Sequence, residues 1–289
     1  RSIMINNSYM RLVSSMNRTV AAPSSYLVDD YSPSVAYSTQ KIRGSATNIV
    51  RLRRTSDQAE SDFSASDLTD GTATTWTGAN NGHIVKWYNQ GTGGSTYDLV
   101  QATAANQPKL IDVGTVILRN GIPSAYFDQN DYIEVSNTPL GQTDFSLFGV
   151  SSSFATNTIG TVFASSNTGN VGARIYQDTR SIKRNLFITN TSGTGYAADM
   201  STTRTTAQTL TLLSGFVDSS KGMSSFDNSA TGATNTFTGT FSNTGIYLGR
   251  TGGATYLKGC ISEFILFATD EITNRSAIET NINDRYTIY

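Results

Sequence analysis

The sequence predicts an all-β fold: a jelly-roll sandwich of two antiparallel sheets with a few short helices. Three observations carry that expectation. The 289 residues include 14 Tyr and 13 Phe, types that favour strands. Charged residues are only 15%; the polarity comes from Ser, Thr, Asn and Gly, which favour turns and strand surfaces over helix interiors. Short apolar segments recur between turn clusters through most of the chain.

The elements follow in order. Residues 1–30 carry Met4, Met10 and Met16 without strand alternation. They read as an arm or attachment segment, with a first strand plus linker as the alternative, and residues 31–289 read as the sandwich domain. Ser32–Pro33 has the form of a helix start, predicting a helix to about Arg43 that stops at Gly44. NIVRLR at Asn48–Arg53 alternates as a strand does. Further strands are predicted at Ile84–Tyr88, Val113–Leu118, Ser124–Phe127, Tyr132–Val135, Phe145–Ser151, Gly160–Ala164, Ala173–Tyr176, Asn185–Thr189, Thr209–Val217, Met223–Asp227 and Gly245–Leu248. CISEFILF at Cys260–Phe267 is nearly continuous in apolar character after Glu263, as in a strand buried deep in a sandwich. The polar stretches near 151–170 and 228–244 read as long loops. Asn274–Tyr286 changes period and places Ala277, Ile278, Ile282 and Tyr286 on one helical face.

Composition excludes several functions. A formal net charge of −1 does not support tracking a phosphate backbone, so nucleic acid is not an expected partner. The longest apolar runs are too short to span a bilayer, so no membrane insertion is expected. One cysteine, Cys260, allows no intrachain disulfide, and one histidine, His83, gives no His/Cys metal cluster. Cys260 reads as a small buried strand residue and His83 as a surface turn residue. Gly91–Gly94 is not a phosphate loop, since no GK[ST] follows. The chain starts at Arg1 and shows no signal-peptide h-region, which leaves a processed or incomplete N-terminus open.

The candidate binding stretch is IVKWYNQGTGG at Ile84–Gly94, where rings and amides meet a flexible loop. Trp87, Tyr88, Asn89 and Gln90 are the candidate carbohydrate contacts. The alternative for Trp87 is the sandwich core, because it ends an apolar strand. Arg51, Arg53 and Arg54 followed by Asp57, Glu60 and Asp62 read as an ion-pair cluster tying a strand to its loop.

AYSTQKIRGSATNIVRLRRTSDQAESDF at Ala36–Phe63 resembles a recurrent pattern, AYSxRKL…IRVRRSSDNAExDF. WYNQ follows at Trp87–Gln90 where the pattern has WYDQ, then AANQPK at Ala104–Lys109 and NGIP at Asn120–Pro123. This block resembles the catalytic-domain family of α-L-arabinofuranosidase B. It is also similar to bacteriophage structural proteins with a concanavalin A-like, laminin-G-like lectin domain, as is RSAIETNINDRYTIY at Arg275–Tyr289. The resemblance covers roughly residues 28–289. It implies a concanavalin A-like sandwich, and a calcium site of carboxylates and carbonyls for which Asp128, Asp131 and Asp70 are the candidates. No other cofactor is implied.

A glycosidase needs two carboxyl groups flanking one bond, and no acidic residue here falls in a segment matching the family's catalytic motifs. The pattern's aspartate is Asn89, and an amide does no proton transfer near neutrality. The expected function is therefore a non-catalytic virion surface protein: a tail-fibre, head-fibre or decoration protein. It would bind host-surface or environmental glycans, contact other virion proteins through the arm, and form a homotrimer. The alternatives are a purely structural virion protein and a glycoside hydrolase of the arabinofuranosidase type.

Overall fold

A computed structural model describes residues 26–154, 159–167, 171–178, 183–199, 209–252 and 255–289. The first 25 residues of the expected arm lie outside these. Helix α1 (Leu27–Tyr31) spans the end of the expected arm, with Leu27 and Val28 buried.

The strands run in chain order. The first are β1 (Val35–Ser38), β2 (Val50–Arg54), β3 (Glu60–Phe63), β4 (Gly82–Trp87), β5 (Leu99–Val100), β6 (Lys109–Asp112) and β7 (Thr115–Val116). Next come β8 (Leu118–Arg119), β9 (Ile122–Pro123), β10 (Ala125–Asp128), β11 (Ile133–Val135), β12 (Phe145–Ser153), β13 (Ile159–Ala164) and β14 (Gly172–Asp178). The last are β15 (Lys183–Thr189), β16 (Gly195–Asp199), β17 (Thr211–Val217), β18 (Gly222–Asp227), β19 (Ala230–Thr236), β20 (Ile246–Leu248) and β21 (Lys258–Phe267). Helix α2 (Thr72–Thr77) precedes β4 and helix α3 (Arg275–Tyr286) closes the chain.

Antiparallel pairing arranges them in two layers. In the back sheet β21 pairs on one edge with β1 and β10 and on the other with β12, and β17, β18 and β19 follow. In the front sheet the order is β3, β2, β4, β5, β11, β20, β13, β14, β15, β16. Strand β6 pairs with both β4 and β10 and so joins the layers at one side. The expected all-β sandwich is what forms.

Two apolar clusters hold it together. The larger lies between the sheets and includes Trp87, Phe127, Phe145, Leu147, Phe163, Leu213 and Phe264. The second covers the outer face of the back sheet and joins Leu27, Phe148, Leu212, Phe216, Ile265 and Phe267 to Ile278, Ile282 and Tyr286 of α3. Phe148 packs edge-on against Phe216 (5.5 Å, 89°) and Phe267 (5.8 Å, 76°), geometry worth about 1 kcal/mol per pair beyond burial. Strands β12 and β21 are thus buried on both faces, which explains the nearly continuous apolar run at the end of β21.

Some elements differ from expectation. No helix follows Pro33; Val35–Ser38 is a fully buried strand paired to β21. Ser32 ends α1 in the left-handed region (φ 51°), so the Ser–Pro signal marks a helix exit. The expected loop at 228–244 contains β19, whose residues are mostly exposed. On α3 the buried face is Ile278, Glu279, Ile282 and Tyr286, and Ala277 is exposed. Glu279 can be buried because Ser214 Oγ (2.8 Å), Ser229 Oγ (2.7 Å) and Arg275 (2.7 Å) all donate to its carboxylate.

Candidate functional site

The four expected sugar contacts sit at the end of β4, and the fold uses most of them as structure. Trp87 is fully buried in the inter-sheet core, and its Nε1 donates to the Ser38 carbonyl at 3.3 Å. A ring enclosed on all sides cannot stack on a sugar, so that expectation is corrected and the core alternative holds. Gln90 is 3% exposed; its Oε1 accepts from Ile42 N and its Nε2 donates to the carbonyls of Ser38 and Gln40. Asn89 Oδ1 accepts from Ala36 N (2.8 Å) and Gly91 N (2.9 Å), while Nδ2 donates to Ser34 O (3.4 Å) and Gly94 O (3.0 Å). Both ends of each amide are occupied in fastening this turn to β1 and its flanks. Tyr88 is half-buried and donates to Asp62 Oδ1 at 2.7 Å.

A cavity of about 300 Å³ lies beside this turn, bordered by Arg43, Thr47, Asn48, Tyr88, Ser95 and Asp98. Among the described residues Asp98 is the one carboxylate on its lining. That group accepts from Asn89 N (2.9 Å) and lies 3.4 Å from Lys86 Nζ. A lone, committed carboxylate does not provide an acid–base pair.

The acidic candidates for calcium do not converge. Among the described residues no three His, Cys, Asp or Glu side chains gather as metal ligands. Asp70 Oδ1 accepts from Thr72 N in the turn leading into α2. Asp131 Oδ2 accepts from Asp128 N at 2.9 Å, closing the turn after β10. Burial pushes the Asp131 carboxyl up to about 6, whereas a calcium ligand must be ionised. Asp128 is exposed, 3.9 Å from Lys258 Nζ.

The remaining expectations resolve simply. His83 lies on β4, not in a turn, and is half-buried, with Nδ1 3.0 Å from the Gln107 carbonyl. Burial lowers its pKa. Cys260 is fully buried, and burial pushes its thiol up to about 11, which makes it inert. Arg51 grips Asp62 by both oxygens (2.7 and 2.9 Å), and Arg54 grips Asp57 (3.0 and 2.7 Å). Arg53 bonds Gln107 and Gln58. Arg51 and Arg54 thus form ion pairs of the expected kind, whereas Arg53 is held by amide oxygens and not by an acid.

Sequence reasoning did not identify a second cavity, of about 520 Å³, at the end of the back sheet. Phe216, Met223 and Ile272 are among its apolar lining residues, and Ser224 and Asn235 among its polar ones. Asp218 and Asp270 both open into it. Asp218 follows β17, and its Oδ1 accepts from Ser220 N (2.7 Å) and Gly222 N (2.8 Å). Residue 222 must be glycine for this, since a Cβ there would lie 2.5 Å from Asp218 Oδ2. Asp270 rides on the link between β21 and α3. Ser146 of β12 pins that link, donating to Thr269 O (3.1 Å) and accepting from Glu271 N (2.7 Å). Burial, together with the charges of Asp218, Asp144 and Glu271, raises the Asp270 pKa. Two carboxylates thus line one groove: Asp218, fixed by backbone N–H groups, and Asp270, whose pKa burial raises. The sequence held no signal for it beyond two ordinary turn aspartates.

No protein-family model and no curated protein matches the chain. Solved structures do share its fold. An arabinofuranosidase complexed with arabinofuranosyl-α-1,2-xylobiose is similar over 89% of this chain and 64% of its own, with a TM-score of 0.65 and 15% identity. A GH54 α-L-arabinofuranosidase mutant soaked with 4-nitrophenyl α-L-arabinofuranoside is similar over 86% of this chain and 62% of its own (TM-score 0.61, 15% identity). A GH54 α-L-arabinofuranosidase soaked with a cyclic sulfate inhibitor gives a TM-score of 0.59 at 14% identity, over the same shares of both chains. The chain therefore spans less than two thirds of the length of these enzymes, and at such identity the likeness is one of fold. It corrects the expected non-catalytic virion surface protein: the neighbours are glycoside hydrolases and favour the enzyme alternative. The argument from Asn89 also fails, because that position is a turn fastener whose side chain faces backbone groups. What stands is an all-β sandwich, similar in fold to those enzymes, with two aspartates lining one groove.

Proposed function

We propose that the chain is a glycoside hydrolase of the α-L-arabinofuranosidase type, acting in the groove that holds Asp218 and Asp270. The observation that carries this reading is the pair of carboxylates opening into one cavity. The sandwich shared with arabinofuranosidases over most of the chain and the block at Ala36–Lys109 support the substrate class. Asp270, with its raised pKa, is the general acid that protonates the departing glycosidic oxygen. Asp218, held by Ser220 N and Gly222 N, is the carboxylate on the other side of the bond, as nucleophile or as base for water. Phe216 and Ile272 give the groove apolar walls for the C–H faces of a sugar, and Ser224 supplies a hydroxyl for hydrogen bonding.

Hydrolysis of 4-nitrophenyl α-L-arabinofuranoside tests it. The parent should release nitrophenol, and Asp270→Asn and Asp218→Asn should each lower kcat/KM by about 10²–10⁴-fold. No release by the parent, or full activity in both variants, would overturn the assignment.

A further inference from the structure

The cavity of about 300 Å³ beside the turn after β4 has no part in the hydrolase reading. Its lining comes from two segments that the fold fastens together. The first is the link between β1 and β2, which carries Arg43, Thr47 and Asn48. Along this link Gly44 N donates to Asp29 Oδ2 (2.8 Å) and Ile42 N to Gln90 Oε1 (2.9 Å), while Ile49 O accepts from Tyr88 N (2.9 Å). The second segment is the turn after β4, with Tyr88, Ser95 and Asp98. Asp98 N donates to Ser95 O (3.1 Å), and Asp98 Oδ1 accepts from Asn89 N (2.9 Å). A lining fixed before a ligand arrives saves the ordering cost of binding.

Several lining side chains are left unused by the fold. Thr47, Asn48 and Ser95 are exposed, and their side chains form no hydrogen bond with the described residues. Arg43 is half-buried; its Nη1 donates to Gly91 O (3.1 Å) and Gln90 O (3.5 Å). Its Nε and Nη2 have no protein partner among the described residues, and neither is enclosed. The Tyr88 hydroxyl is committed to Asp62, so what Tyr88 offers is its ring. Charge around the cavity is opposed: Arg43 and Lys86 are balanced in part by Asp98, which lies 3.4 Å from Lys86 Nζ. An anion would meet Asp98 and a cation would meet Arg43, whereas a neutral ligand meets neither penalty. The volume is at the lower end of small-ligand cavities, roughly 300–1,000 Å³, which suits one unit of a chain. We propose that this cavity is a second glycan site, holding one unit of a neutral oligosaccharide, with the Tyr88 ring against a C–H face and Arg43, Thr47, Asn48 and Ser95 bonding hydroxyls. With no acid–base pair, it retains the chain without cutting it. The site stands apart from the hydrolase reading, because it is detected by binding without turnover.

Isothermal titration of the whole chain carrying Asp270→Asn, so that no turnover in the groove intrudes, tests it. The probes are xylan, galactan and glucan hexasaccharides beside a galacturonate hexasaccharide. At least one neutral probe should bind, and the galacturonate should bind more weakly than that probe. In the same background Asn48→Ala should weaken the bound probe about tenfold, and Thr47→Trp, which fills the cavity, should abolish its binding. Neither side chain has a partner in the described fold, so Tm should stay in place for both. Tyr88→Ala should weaken binding about tenfold, while Tyr88→Phe, which keeps the ring, should bind as before. Binding of no neutral probe, equal or tighter binding of the galacturonate, or undiminished binding by Asn48→Ala or Thr47→Trp would overturn the proposal. If Thr47→Trp does not fold, Asn48→Ala decides it. Failure of the parent to hydrolyse 4-nitrophenyl α-L-arabinofuranoside would count against the groove alone.

Discussion

Asn89 stands where the related pattern has an aspartate, and its surroundings give a physical reason. Two backbone N–H groups need an acceptor and two carbonyls need a donor. An amide supplies both; a carboxylate supplies only the first and would face two carbonyl oxygens. Asn89→Asp should therefore lower stability by about 1–3 kcal/mol in urea unfolding at pH 7; an unchanged midpoint would show that the Nδ2 contacts contribute nothing. Asp131 gives a pH signature. Burial, the largest cause, lifts its pKa from 3.8 to about 6, so the folded state holds the proton more tightly than the unfolded chain. This group's stabilisation is full below about pH 4 and is lost as pH rises through 6, by roughly 2–3 kcal/mol. Asp131→Asn keeps an acceptor for Asp128 N–H, so it should flatten the stability profile between pH 4 and 6 and stabilise the fold at pH 7. A variant whose profile parallels the parent's would rule Asp131 out as the source.

At the scale of elements, legibility followed burial. Strands with one or two apolar faces, such as β12, β17 and β21, lie close to where alternation or continuous apolar runs put them. Strand β19 was illegible because ATGATNT is almost wholly exposed and leaves no pattern to read. Strand β1 was misread because Ser–Pro also suits a chain leaving a helix, and only pairing with β21 settles its state. The groove was hidden for a different reason: Asp218 and Asp270 are 52 positions apart in sequence, and each alone is an ordinary turn residue. Their convergence depends on Ser146, which no motif marks. Ser146 is fully buried and fixes the backbone on both sides of Asp270. Ser146→Ala should thus lower kcat on the nitrophenyl arabinofuranoside by about tenfold or more, with KM changing less, through misplacement of Asp270. Restoration by Ser146→Thr would separate this positioning role from a general loss of packing.

At the scale of the molecule, the two apolar clusters share the same strands. Phe145 and Leu147 of β12 face the inter-sheet core, while Phe148 and Val150 face the cluster beneath α3; β17 and β21 divide their side chains in the same way. Neither cluster can lose its packing without releasing a strand that the other needs, so the described fold should unfold as one cooperative unit despite having two cores. The tryptophans report on one side only: Trp87 lies in the inter-sheet core and Trp76 packs against it. Ile282 lies on the far side, under α3. Ile282→Ala should cost about 2–5 kcal/mol. If the cores are coupled, it should lower the urea midpoint seen by tryptophan fluorescence by the same amount as the midpoint seen by far-ultraviolet circular dichroism. A fluorescence midpoint that stays in place while the dichroism transition splits would instead mean that α3 and the outer cluster melt alone. The β12–β17–β21 spine would then serve as a platform for the helix, not as a link between the cores.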